Sequence, residues 1–257
     1  FLQNCGMLMA ALLFWVATEI AALEAGEIFL ALGIVTIPVF IYVVWLLPGA
    51  TARVLVFLVS KLFYRVRVNG KENVPEKGGV LLVSNHVSFI DGVLVLLYFP
   101  RDPRLIARAD PSHGRFYRRL AKDLGTIFIE PGKQSLIESL DIASQALKDG
   151  EVVCIFPEGK MTETGDVNEF RRGFLRIKEG TSAPVVPIHL DGLWGSVFSH
   201  EGGKVLRKWP RRIPYPVQIV IGKPLAEPIT EESARDAVVE LADAKVKAQT
   251  RESPADA

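Results

Sequence analysis

Two short segments hold residue types able to move a proton. In Asn85-His86-Val87-Ser88-Phe89-Ile90-Asp91 an imidazole and a carboxylate form a His-x4-Asp pair just past the apolar run Leu81-Leu82-Val83. In Phe156-Pro157-Glu158-Gly159 a second carboxylate follows the apolar run Val152–Phe156. A carboxylate on one imidazole nitrogen fixes the tautomer and leaves the other nitrogen to take a proton from a hydroxyl. The same carboxylate stabilises the imidazolium once it forms. Ser88-x-x-Asp91 also fits a helix N-terminal cap, with Asp91 serving only the backbone, and both readings stand. Proline ends a strand and glycine frees the next turn, so Glu158 is expected at a strand terminus. There it is either a working carboxylate or the surface residue of a turn. Further on, Asn168-Glu169-Phe170-Arg171-Arg172-Gly173-Phe174 offers two guanidiniums that could grip a phosphate through paired donors or form a solvated basic turn.

Other chemistries find little support. No Gly-x-Ser-x-Gly elbow is present, and the two cysteines, Cys5 and Cys154, stand far from any histidine in sequence. They match no metal-ligand spacing, so no metal site is expected. Cys154 lies in an apolar run and is expected buried and reduced, as in a cytosolic domain. What remains is direct attack by a deprotonated alcohol on an activated carbonyl.

The elements that must position these groups follow from the hydropathy pattern. The chain of 257 residues is 49% hydrophobic with a formal net charge of +1, which excludes a strongly basic nucleic-acid binder by bulk charge. Basic residues cluster locally at Arg101, Arg104, Arg108, Arg115, Arg118, Arg119 and Lys122, as a solvated face or an attraction for anionic headgroups. Apolar runs at Gly79–Val83, Thr126–Ile129, Val152–Phe156, Val185–Leu190 and Val217–Ile221 read as buried strands. Helical stretches at Phe89–Tyr98, Gly114–Asp123 and Gln134–Lys148 fall between them. Thr230 with Glu231-Glu232 opens a last helix to about Gln249. The alternation predicts an α/β fold, a mixed sheet flanked by helices.

The front of the chain differs. Ile28–Leu47 carries no charge and is long enough to span a bilayer, and Met7–Leu23 is a weaker apolar stretch interrupted by Glu19. One or two membrane-embedded helices are therefore expected within residues 1–50, then an interfacial amphipathic helix over 51–64. A catalytic domain is expected over 65–250 and a polar tail over 251–257. Arg53, Lys61, Arg65, Arg67 and Lys71 follow the apolar segment, so the domain is expected on the cytoplasmic face of the inner membrane. The chain begins with Phe1 and has no basic n-region, which reads as a fragment of a longer polypeptide.

From about Phe63 to Ile229 the chain resembles the glycerophospholipid acyltransferases of the bacterial lysophospholipid type. The resemblance rests on four blocks in order: His86-Val87-Ser88-Phe89-Ile90-Asp91, Gly125-Thr126-Ile127-Phe128-Ile129, Phe156-Pro157-Glu158-Gly159 and Val186-Pro187-Ile188. It implies that His86 is the base, Asp91 its partner, and Glu158 and Gly159 part of the acceptor site. Asn85, Ser88, Gly125, Glu130, Lys160, Arg171 and Arg172 complete the candidate substrate-binding set, with Lys160 and the two arginines expected on the phosphate. The acyl donor implied is a thioester of acyl carrier protein or coenzyme A, with no cofactor. Where the family's second block continues to an arginine, this chain has Glu130-Pro131, and the third block continues Lys160-Met161. Glu130 would repel a dianionic phosphomonoester, which favours a zwitterionic acceptor such as lysophosphatidylethanolamine over 1-acylglycerol 3-phosphate. The front end is similar to the last helices of a lysophospholipid carrier. The whole therefore resembles the bifunctional 2-acylglycerophosphoethanolamine acyltransferase/acyl-carrier-protein synthetase group. A module that binds or transports lysophospholipid without turnover is the non-enzymatic alternative.

Overall fold

The computed structural model describes residues 24–46, 48–109, 118, 121–130, 132–203 and 213–252. The stretch Met7–Leu23, most of the expected helix over Gly114–Asp123, and the tail from residue 253 lie outside the described residues. The chain divides into Phe1–Thr51 and Ala52–Ala257. In the first unit, helix α1 covers Ala25–Leu46 and exposes Phe29, Leu30, Leu32, Ile34, Val35, Ile37, Val39 and Tyr42 around its circumference. Among the described residues no helix is long and apolar enough to cross a membrane. The expected transmembrane segment is thus not found among them.

Helix α2, Pro48–Phe63, runs into the second unit, where one face of it is anchored. Arg53 donates to the carbonyl of Leu96 and pairs with Asp102, while Ser60 shares a hydrogen bond with the hydroxyl of Tyr98 at 2.8 Å. Val54, Leu55, Leu58, Val59 and Leu62 line the other face and stay exposed, the i, i+3/i+4 spacing of an amphipathic helix.

Among the described residues the second unit is built on seven strands: β1 Tyr64–Asn69, β2 Val80–Ser84, β3 Pro103–Arg108, β4 Ile127–Ile129, β5 Val152–Ile155, β6 Val185–Asp191 and β7 Tyr215–Ile221. Their order is β1-β7-β6-β2-β5-β3-β4. The pairings are parallel except β6 with β7, so β1 and β7 run against the other five. Two strands escape the hydropathy reading, β1 and β3, because arginines flank or alternate with their apolar residues. The central strands are apolar without alternation because both faces are covered. From β2, Val80 and Leu82 join one core with Leu94, Val95, Val186 and Ile188; Leu81 and Val83 join the other with Leu140, Ala143, Val153, Phe174 and Val238. Helices α3 (Asp91–Tyr98), α4 (Lys133–Lys148), α5 (Gly173–Lys178) and α6 (Glu231–Glu252) supply the covering. Because β2, β5, β3, β4 and β6 point one way, the chain leaves their carboxyl ends along one edge, where α/β sheets place their chemistry.

Candidate active site

His86 stands two residues past the end of β2. Beyond Ser84, paired with Ile188, the strand leaves the sheet through a side chain. Asn85 donates from Nδ2 to the carbonyl of Leu190 at 2.9 Å and accepts from the Leu190 N–H at 2.7 Å. The buried amide thus continues the β2–β6 ladder while its own backbone turns away. Asn85, a candidate substrate contact, is instead part of the scaffold. Ser88 is fully buried and forms an isolated bridge with Ser199, so it also faces the fold and not a ligand.

Nearly every atom of His86 that can be held is held. Nδ1 lies 2.9 Å from Asp91 Oδ2, the backbone N–H donates to Glu158 Oε1 at 2.7 Å, and the carbonyl accepts from the Thr162 N–H at 2.8 Å. The ring stacks on Phe156 with centroids 4.4 Å apart and planes 24° from parallel. Nε2 remains, free of a partner among the described residues, on a side chain that keeps 22% of its surface exposed. An imidazole held this way presents one lone pair in one direction, the requirement for a positioned base.

Asp91, the first residue of α3, resolves the two readings of its spacing by doing both jobs with one oxygen. Oδ2 accepts from His86 and also from the N–H groups of Val87 at 2.7 Å and Ser88 at 2.8 Å. Oδ1 is buried without a partner among the described residues. Burial pushes the carboxyl above the usual carboxylate range, opposed by the His86 and backbone hydrogen bonds. Cys154 shares this interior. Burial and then the charge of Asp91 push its thiol up to about 12, which keeps it protonated and inert.

Glu158 is 3% exposed, not a surface glutamate. Oε1 takes the His86 N–H, and Oε2 accepts from the N–H of Asn168 at 3.0 Å and from its side-chain amide at 2.6 Å. Burial raises its pKa against these same donors. With both oxygens engaged, its geometry is that of a bracket joining the His86 loop, the β5 turn and the 168 loop, not of an acceptor contact. Asn168, Thr162 and the ring of Phe156 are the residues that sequence reasoning left unassigned. Asn168 stands ten residues beyond Glu158, and no local spacing signals such a partnership.

The remaining candidates separate. Gly159 has φ +71 and Arg171 lies across it, so both border the site. Arg172 instead reaches Glu231 at the start of α6, at 2.5 Å. Lys160 sits 3.6 Å from Glu163. Glu130 is paired with Arg118, whose guanidinium lies 5.9 Å from the Phe128 ring centroid. It is therefore not the bare anion that its place in the second block suggests. Gly125, at φ +81, makes the turn before β4, and its carbonyl accepts from Arg104 at 3.1 Å. Among the described residues no group of three or more His, Cys, Asp or Glu could hold a metal.

The chain is similar to several known proteins. Over 180 residues the chain is 28% identical to a probable 1-acyl-sn-glycerol-3-phosphate acyltransferase of Mycoplasma pneumoniae, covering 65% of this chain and 66% of that protein. It is 27% identical over 170 residues to a lyso-ornithine lipid O-acyltransferase of Rhizobium meliloti, covering 63% of this chain and 54% of the relative. The chain therefore spans between half and two thirds of these relatives' length. The crystal structure of the 1-acyl-sn-glycerophosphate acyltransferase PlsC from Thermotoga maritima shares the fold, with a TM-score of 0.59 and 23% identity over 82% of this chain and 92% of that one. The segment that carries the His86, Asp91 and Glu158 turns, residues 65–191, matches the family described as Acyltransferase.

Proposed function

We propose that this protein is an O-acyltransferase that moves a fatty acyl group from a thioester to the free hydroxyl of a lysophospholipid. The observation that carries the reading is the fixation of His86 on its Nδ1, its backbone and its ring face, with Nε2 left to act. The acceptor hydroxyl gives its proton to Nε2 while its oxygen attacks the thioester carbonyl. The resulting imidazolium is stabilised by Asp91. Collapse of the tetrahedral intermediate expels the thiolate, which takes that proton, so the route closes with ester and free thiol and needs no cofactor. The donor is a thioester of acyl carrier protein or of coenzyme A.

The acceptor we favour is lysophosphatidylethanolamine, on the resemblance to the bifunctional group and on Glu130-Pro131 standing where the second block of the family continues to an arginine. One observation favours 1-acylglycerol 3-phosphate instead: the Arg118–Glu130 pair removes much of the repulsion that Glu130 would exert on a dianion. The exposed apolar faces of α1 and α2, with Lys61, Arg65 and Arg67 following, support docking of the domain on the cytoplasmic leaflet of the inner membrane. Side-by-side assays with the two acceptors and both thioesters test the reading. Ester formation with release of free thiol is expected, fastest with lysophosphatidylethanolamine. Faster turnover of 1-acylglycerol 3-phosphate would replace the acceptor, and saturable lipid binding without thiol release would overturn the reaction.

A further inference from the structure

Both ends of Arg171 rest on the turn that follows β5. Its backbone N–H donates to the carbonyl of Pro157 at 3.0 Å. Its side chain lies flat over Gly159: a Cβ built there would sit 3.1 Å from Nε and 3.3 Å from Cδ and Cζ. Any other residue at 159 would therefore crowd the guanidinium and strain a backbone held at φ +71. Glu158, between these two anchor points, sends its carboxylate inward to His86 and Asn168, so it does not neutralise the arginine outside.

Among the basic residues of the segment 158–178, the distribution of partners singles out this residue. Arg172 is paired with Glu231, Arg176 with Asp141, Lys178 with Glu227, Arg118 with Glu130 and Arg104 with Glu151. Lys160 stands near Glu163. Among the described residues Arg171 has no acidic partner, although it is exposed and its stem is pinned beside the turn that fixes the base. A preorganised, unneutralised guanidinium suits bidentate recognition of a phosphate.

We infer that Arg171, seated on the bare α-carbon of Gly159, is the phosphate anchor of the active site, in place of the second-block arginine where this chain has Glu130-Pro131. The inference rests on the acyl-transfer reading. A phosphate reaches such a site from the acceptor's headgroup or from the pantetheine arm of the donor, and kinetics separate the two.

The experiment compares the full chain with Arg171→Met and Arg171→Lys, and with Arg176→Met as a charge-matched control. Steady-state assays use lysophospholipid and phosphate-free monoacylglycerol as acceptors, and melting temperature reports folding. Arg171→Met is expected to raise the lysophospholipid KM about 10- to 100-fold, the scale of a lost charge-assisted bidentate contact. Monoacylglycerol turnover and donor KM stay level, Arg171→Lys falls between, and Arg176→Met matches the wild type. A rise confined to the donor KM keeps the anchor and assigns it to the pantetheine phosphate. Unchanged KM for both substrates, with normal wild-type turnover and intact folding, overturns the inference. A wild type that transfers no acyl group to either acceptor overturns the underlying reaction instead.

Discussion

At the scale of single residues, the carboxylate that the proposed reaction pairs with His86 opposes the fold. Asp91 is fully buried with one oxygen unpartnered among the described residues, and burial holds its carboxyl above the ordinary range. The folded protein thus binds this proton more tightly than the unfolded chain does. The stability from that proton is complete below the ordinary carboxylate pKa and is lost as pH rises through the raised value. Proton transfer needs the anion, so activity is expected to appear on the alkaline side of that raised value. Asp91→Asn is therefore predicted to lower kcat by about 10³- to 10⁴-fold, while its melting temperature at neutral pH is no lower than the wild type's. A large drop in melting temperature would contradict this. The His–Asp pair was legible because its members lie within one turn of chain. The role of Asn85 was not: its polar side chain at the edge of an apolar strand looks like a ligand contact, yet the backbone of Leu190, in a strand distant in sequence, claims it.

At the scale of elements, the site is a junction of three chain segments held by one carboxylate. Glu158 links the loop after β2, the turn after β5 and the segment before α5. Removing an acceptor there leaves a buried N–H unpaired, at about 1–3 kcal/mol. Glu158→Gln is predicted to lower kcat by roughly 100-fold, the effect of misplacing a reacting group by ~1 Å, with acceptor KM little changed. Asn168→Ala should do the same more weakly, and a KM effect in either variant would instead make Glu158 an acceptor contact. The core strands β2, β5 and β6 were readable because strands covered on both faces are apolar throughout. Strand β1 was hidden by Arg65 and Arg67 alternating with Val66 and Val68, and β3 by arginines at its ends. The start of α6 was legible from its cap: Thr230 and Ser233 exchange hydrogen bonds of 2.9 and 3.0 Å.

At the scale of the whole molecule, the proposed docking on a membrane rests on the apolar front of the chain. The anchored face of α2 holds it to α3, and the stripe Val54, Leu55, Leu58, Val59 and Leu62 has no cover among the described residues. Leu58→Glu is predicted to weaken partition onto vesicles containing anionic lipid by roughly 10-fold while leaving stability within about 0.5 kcal/mol. Flotation and thermal melting check the two halves, and unchanged flotation would leave the stripe without a lipid role. The apolar character of this region was plain in the sequence, whereas the side of α2 that packs on Tyr98 depended on a tertiary contact that hydropathy does not report.

The central claim is that Nε2 of His86 takes the proton of the acceptor hydroxyl. Single-turnover acyl transfer, with both substrates saturating and wild type set beside His86→Gln, measures that step alone. A loss of about 10²- to 10⁴-fold, the usual contribution of a positioned base, with folding intact, is the predicted result. A variant that forms ester at the wild-type rate would contradict the account.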